Sequence, residues 1–200
     1  LRWIGRAVFL VVSPLWFMGV YLMLIALLPV FLWLHERWDT VVLVFLAAIA
    51  GAVDIIRFRY GYEWLGIVNM IAVWALCHQL GFFYERLVHA ARRVDWTLLW
   101  AGLAALAGLV GSGLYPGSMV GVPGETSNMA PPTLSIVALV AFQAGLAEVL
   151  RPRISARLQR PRWALANDTI NRFSMPVFLF HTTGMALHRA VRYALAGNRN

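Results

Sequence analysis

The chain has 200 residues, of which 60% are hydrophobic and only 13% are charged. A soluble domain carries about 45–50% apolar and about 25% charged residues, so this composition excludes an ordinary soluble fold. The net charge is +8, and every strongly basic side chain is an arginine. Because the arginines cluster between apolar runs, as the positive-inside bias produces, the charge does not indicate a nucleic-acid partner. We therefore predict an all-α, polytopic integral membrane protein.

Apolar runs of the length that crosses a bilayer, about 20 residues, follow one another along the chain. We predict about six transmembrane helices, at residues 14–34, 40–56, 62–84, 96–114, 133–150 and 170–195. Ser13 and Pro14 are a typical helix start, and Trp and Tyr residues near many run ends fit the interfacial aromatic belts. Pro176 is expected to interrupt the last span.

Two connecting segments differ sharply in charge. Residues 117–132 carry no basic side chain, whereas residues 151–162 carry five arginines. We therefore expect the arginine-rich segment, predicted as a loop, in the cytoplasm and the Gly/Pro-rich loop outside. Arg151, Arg153 and Arg157 could bind the phosphates of a nucleotide-like donor. The alternative is a topology signal with contacts to anionic lipid.

Polar side chains follow one face of the last span at alternating steps of three and four residues. This stripe comprises Asn171, Ser174, Phe178, His181, Met185, His188 and Arg192. Since ionisable groups inside a membrane are costly, His181 is a candidate acid, base or ligand in a polar cavity. The alternative is interhelical hydrogen bonding that only positions the helix.

The second and third spans also carry polar groups. His78 and Gln79 lie late in the third span, with Asn69 earlier, and could form a second wall of the same cavity or bond to neighbouring helices. Asp54 and Arg57 have the three-residue spacing of a same-face ion pair, and a structural role is favoured for them.

The Gly/Pro-rich loop contains the small polar or acidic residues Glu125, Thr126, Ser127 and Asn128. Loops carry recognition more often than the scaffold does. Glu125, Ser127 and Asn128, with Asn171 and Ser174 of the last span, are therefore predicted to bind a hydroxylated substrate. The alternative is a simple connector. The spacing of the ligating residue types predicts no metal site.

Four segments, 15–22, 73–82, 118–133 and 170–181, resemble segments of the membrane acyltransferase-3 family, of actinobacterial type. The last of these reads INRFSMPVFLFH and resembles the family pattern that ends Leu-x-His. The resemblance implies transfer of an acyl group, often acetyl or succinyl, from cytoplasmic acyl-CoA to a hydroxyl of a carbohydrate or glycolipid acceptor. It also implies O-acetylation in the cell envelope, a bacterial cytoplasmic membrane, and no bound cofactor.

The same resemblance implies about ten spans, so that residues 1–200 would be one transmembrane domain from the C-terminal part of a longer protein. The family's mark, an arginine followed eleven positions later by a histidine in the first helix, has no counterpart in this chain. The resemblance therefore places the catalytic histidine in that first helix, and His181, His78 and Asn128 would then shape the cavity or the acceptor site. Within this chain no catalytic residue is identified, and His181 and His78 are the candidates. The alternatives are a membrane channel or transporter, and a haem-binding membrane protein that uses His78 and His181.

Overall fold

A computed structural model describes residues 15–119 and 127–197, and throughout these residues the regular secondary structure is helical, with no strand. A short 3₁₀ helix spans Glu63–Leu65. The α-helices are α1 Leu15–Ala26, α2 Leu28–Trp38, α3 Thr40–Tyr60, α4 Gly66–Phe82, α5 Tyr84–Val88, α6 Arg92–Gly111, α7 Leu134–Leu158 and α8 Pro161–Gly197. The predicted all-α class is confirmed.

Four helical segments of the described chain are long and apolar enough to cross a membrane: Thr40–Tyr60, Glu63–Phe82, Arg92–Gly111 and Leu134–Leu158. They correspond to the second to fifth predicted spans. The first predicted span is a bent pair, because α1 and α2 meet at 56°. Pro29, the second residue of α2, lacks a backbone N–H and so cannot continue the hydrogen bonding of α1.

The sixth predicted span, within α8, does not reach the apolarity of a membrane-crossing helix. The helix has 37 residues, but His181, His188 and neighbouring threonines interrupt its apolar stretch. By length and composition, the described residues therefore contain four candidate spans, or five if the bent pair is one span, where about six were predicted.

Two prolines do not act as the sequence suggested. Pro176 lies inside the continuous α8, so the predicted interruption is wrong. Likewise α7 continues through Pro152 to Leu158, and α8 begins at Pro161, where a missing N–H costs nothing. The predicted arginine-rich loop is therefore mostly helix, and only two residues separate α7 from α8.

The chain divides into two compact units, Leu1–Ile25 with Ser155–Asn200 and Ala26–Ile154. In the first, the Phe17 ring packs edge-on against Phe178 of α8, with 5.1 Å between centroids. In the second, Ala50 of α3, Val73 of α4 and Ile136 of α7 form the buried core.

Helices α6 and α7 of the second unit approach each other through glycines. A Cβ on Gly102 would collide with the backbone of Phe142, and one on Gly145 would collide with the backbone of Leu99. Small residues permit this close contact between spanning helices. The contact holds α7 against the bundle and so brings Leu134, its first residue, toward the end of α3.

Candidate functional site

A buried carboxylate lies near the end of α3. Asp54 is completely buried, and its Oδ1 accepts a hydrogen bond of 2.7 Å from the Asn69 side chain of α4. Its Oδ2 accepts the backbone N–H of Leu134, the first residue of α7, at 2.8 Å. One carboxylate thus joins α3, α4 and α7. We call Asp54, Arg57, Asn69 and Tyr115 the carboxylate cluster.

The predicted ion pair within α3 is confirmed. Arg57 Nη1 lies 3.6 Å from Asp54 Oδ1, and Arg57 Nη2 donates to Glu63 Oε2 at 3.0 Å. Arg57 itself is 96% buried, with 4% of its surface exposed, so the two acids compensate a charge that water cannot reach.

Tyr115 completes the cluster from the segment after α6. Its hydroxyl is hydrogen-bonded to Asp54, and burial raises the pKa of this phenol, with the neighbouring Asp54 charge adding to the effect. The hydroxyl therefore stays protonated at neutral pH and donates to the carboxylate. Every oxygen of Asp54 is occupied, which indicates a structural junction.

Asn128 organises the loop between α6 and α7. It is fully buried, and its Nδ2 donates to the carbonyl oxygens of Pro116, at 2.5 Å, and Ser118, at 3.2 Å. Its Oδ1 accepts the hydroxyl of Thr133 at 2.8 Å. The predicted substrate-binding amide is thus engaged by its own loop.

Of the two other loop residues predicted to bind the acceptor, Ser127 is described by the structure and Glu125 is not. The Ser127 hydroxyl donates to Met119 O at 3.2 Å and accepts the N–H of Met129 at 3.0 Å. Glu125 lies outside the described residues. Ser127 remains half-buried, so it is the described loop residue nearest to being available for an acceptor.

A second polar group forms where α2 packs against α4. Gln79 is fully buried, and its Nε2 donates to the carbonyl oxygen of Phe31 at 2.8 Å. The His78 ring lies 5.7 Å from that of Phe31 and 5.1 Å from that of Phe82. His35 of α2 lies 5.3 Å from the same Phe82 ring. We call His35, His78 and Gln79 the histidine cluster.

The histidine cluster has unused hydrogen-bonding capacity. Within the described part of the chain, Nδ1 of His35, Nδ1 of His78 and Oε1 of Gln79 are buried without a hydrogen-bond partner. A neutral imidazole carries one donor and one acceptor nitrogen. The cluster therefore has the groups that general acid–base chemistry requires. The sequence did not indicate His35 as a candidate, because it lies between two apolar runs and belongs to no periodic polar stripe.

The predicted stripe on α8 is exposed in the first unit. The Ser174 hydroxyl donates to the Asn171 carbonyl oxygen at 2.9 Å, and His181 Nδ1 lies 2.6 Å from the carbonyl oxygen of Phe178. Asn171, Ser174 and His181 are all exposed. The described contacts of Ser174 and His181 are with their own helix, which leaves Nε2 of His181 open.

The three arginines predicted to bind a donor differ in availability. Arg151 Nε pairs with Glu148 at 2.7 Å, and its Nη2 donates to the carbonyl oxygen of Val88 at 2.7 Å. Arg151 therefore ties α7 to α5. Arg153 and Arg157 are exposed. Among the described residues, no group of three His, Cys, Asp or Glu side chains could hold a metal ion.

One of three comparisons with known proteins gives a match. A family model described as an acyltransferase domain, of the acyltransferase-3 type, matches residues 3–196. Comparison with curated proteins and comparison with solved structures give no significant match.

Proposed function

This chain belongs to the acyltransferase-3 family of membrane acyltransferases, and we propose that it transfers an acyl group from acyl-CoA to a hydroxyl of a carbohydrate or glycolipid acceptor. The family match over residues 3–196 carries the proposal. The apolar helices agree with a membrane enzyme. We place it in a bacterial cytoplasmic membrane, where it O-acylates a component of the cell envelope.

The reaction needs a base. The acceptor oxygen attacks the thioester carbonyl and forms a C–O bond, the C–S bond breaks, and the proton of the hydroxyl ends on the departing CoA sulfur. A positioned base that accepts this proton contributes about 10²–10⁴-fold to the rate.

His78 is our choice for the base. Each histidine has a nitrogen to spare, since Nδ1 of His78 has no partner in the described chain and the contact of His181 Nδ1 with Phe178 O leaves its Nε2 open. His78 is preferred because its ring is half-buried, whereas His181 is exposed. The aromatic rings of Phe31 and Phe82 pack on His78 and limit the water around it. Gln79, hydrogen-bonded to Phe31 O, fixes the neighbouring turn of α4 against α2.

The donor contacts are assigned to exposed arginines. Arg153 and Arg157 have guanidinium groups open to the phosphates of CoA, whereas Arg151 serves as a tie between helices. For the acceptor hydroxyls we propose Glu125 and Ser127 of the loop, whose shape the buried Asn128 holds through its own hydrogen bonds. The exposed Asn171 and Ser174 of α8 are separate candidates in the first unit.

The test compares two histidine substitutions in the full-length protein, assayed in membranes with radiolabelled acyl-CoA. We expect His78→Gln to lower kcat by about 10²-fold or more while the KM for acyl-CoA changes little. The control is His89→Gln, which alters an exposed histidine whose Nδ1 lies 2.8 Å from the carbonyl oxygen of Glu85. The control should stay within about twofold of the parent. An unchanged kcat in a properly folded His78→Gln protein contradicts the assignment.

A further inference from the structure

An apolar groove runs through the second unit beside the buried core. It has a volume of about 430 Å³, and helices α3 to α7 all contribute to its wall. This volume lies within the range of small-molecule sites, about 300–1,000 Å³. Its lining residues include Leu43, Cys77, Leu80, Leu98, Val140 and Ala144. The walls carry almost no polar surface, so the shape suits a hydrocarbon chain.

Interfacial aromatic residues indicate where the rim of the groove lies relative to the membrane surface. Tyr84, on the groove's rim, is 59% exposed, and Trp96, near the start of α6, is 39% exposed. Such residues concentrate at the level of the lipid headgroups. The groove therefore begins at the membrane interface and continues between helices that are long enough to span the hydrocarbon region.

The start of α6 places positive charge at this rim. Arg92 and Arg93 are exposed and immediately precede Val94, which lines the groove. Ala91 caps α6 without a side-chain hydrogen bond, so the first N–H groups of the helix have no side-chain partner at the cap. The positive end of the helix dipole adds to the two arginines.

Glu148, the acidic residue in the groove wall, does not repel an anion bound at the rim. Glu148 is 8% exposed, and its Oε2 lies 2.7 Å from Arg151 Nε. Its charge is therefore compensated within α7. The groove thus combines an apolar channel with a rim where two exposed arginines, Arg92 and Arg93, stand beside the single acid of the first turn of α6, Asp95.

We propose that this groove binds one acyl chain of an anionic phospholipid, whose phosphate is held by Arg92 and Arg93. Lipid tails are as apolar as leucine, so the groove fits an acyl chain by its shape and does not distinguish one lipid class from another. Selectivity for an anionic headgroup comes from the charges of Arg92 and Arg93. Basic pockets between helices at one membrane surface bind anionic headgroups in this way. The site goes beyond acyl transfer and does not depend on it.

The first test is native mass spectrometry of the full-length protein in detergent, titrated with phosphatidylglycerol or phosphatidylcholine of equal chain length. We expect phosphatidylglycerol to bind at least about tenfold more tightly. The double variant Arg92→Gln/Arg93→Gln removes this preference. The matched control, Arg59→Gln/Arg189→Gln, removes two exposed arginines elsewhere and retains it.

A second pair of variants tests whether the acyl chain of the lipid occupies the groove. Ala144→Phe fills the groove and should weaken binding of both lipids, whereas Ala104→Phe, on an exposed face of α6 outside the groove, should not. Cys77, the single cysteine of the chain, lines the groove and reports occupancy directly. Phosphatidylglycerol should slow its modification by a membrane-permeant thiol reagent more than phosphatidylcholine does.

Three results overturn the proposal. Equal affinities for the two lipids mean that only bulk lipid fills the groove. If both double-arginine variants lose the preference for phosphatidylglycerol equally, the overall positive charge of the protein attracts the lipid, and Arg92 and Arg93 have no special role. Protection of Cys77 by a long-chain acyl-CoA but not by phosphatidylglycerol assigns the groove to the donor. None of these readouts measures acyl transfer, so a failure here leaves the proposed enzymatic function standing.

Discussion

Asp54 shows how a single residue can place a charge inside a membrane-spanning helix. Its two oxygens receive Asn69 and the Leu134 N–H, and Arg57 supplies the opposite charge. Leaving a buried polar or charged group without such partners is far more costly than the contacts themselves are favourable. The carboxylate cluster is therefore sensitive to removal of one member.

The first stability prediction concerns the charge of Asp54. Asp54→Asn keeps the size of the side chain but leaves the buried Arg57 with only the exposed Glu63 as its acid. Breaking a buried pair from one side costs about 3–5 kcal/mol. We expect a loss of this order in the free energy of unfolding, measured by denaturant titration in mixed micelles.

Asp39→Asn is the matched control for this experiment. The Asp39–Arg86 pair has a shorter contact than Asp54–Arg57, 2.7 Å against 3.6 Å, but both of its side chains are about half exposed, at 47% and 60%. Exposed pairs contribute about 0–1 kcal/mol. If the two substitutions lower stability equally, burial is not what makes Asp54 important.

At the scale of elements, the sequence predicts the spans well and their interruptions poorly. The cores of α3, α4, α6 and α7 follow from apolar runs of bilayer length. The bend before Pro29 and the continuity of α8 through Pro176 depend on how neighbouring turns replace a lost hydrogen bond. A proline in the sequence does not say which of these occurs.

The same distinction applies to the candidate site. The Asp54–Arg57 pair was predictable because both residues lie on one helix, three positions apart. The bond from Asp54 to Leu134 joins residues 80 positions apart, and contact between His35 and Phe82 requires α2 to pack on α4. Such contacts follow from helix packing, which periodicity along one chain segment does not reveal.

The prediction at this scale tests the close contact between α6 and α7. Gly102→Ala would drive its methyl group into the backbone of Phe142, which cannot move aside as a flexible side chain could. We expect a loss of about 1–3 kcal/mol in the free energy of unfolding, as for other overpacked sites.

Gly108→Ala is the control on the same helix. Nothing lies within 4 Å of the added Cβ at this position. Alanine is about 1 kcal/mol more favourable than glycine inside a helix, so this variant should be as stable as the parent or more so. Equal destabilisation by both alanines would mean that the α6–α7 approach is not close.

For the whole molecule, the burial of individual arginines supports the membrane orientation that their distribution along the sequence suggested. At one end of the second unit, Arg57 is buried and paired with two acids, so it contributes little charge to that membrane surface, and Arg59 is the exposed arginine there. The other end holds the exposed Arg37, Arg92, Arg93 and Arg153. The positive-inside rule therefore favours this second end as the cytoplasmic one.

The corresponding prediction uses single cysteines at the two ends of α6. In a Cys77→Ser background, a membrane-impermeant thiol reagent added to intact cells should label Ser112→Cys and not His89→Cys. Both positions are exposed, so both should react once the cells are broken, and this serves as the control. The reverse pattern in intact cells contradicts the orientation. It would also weaken the choice of His78. This residue lies near the end of α4, toward the same end as His89, and the proposed donor, acyl-CoA, would reach it from the cytoplasm.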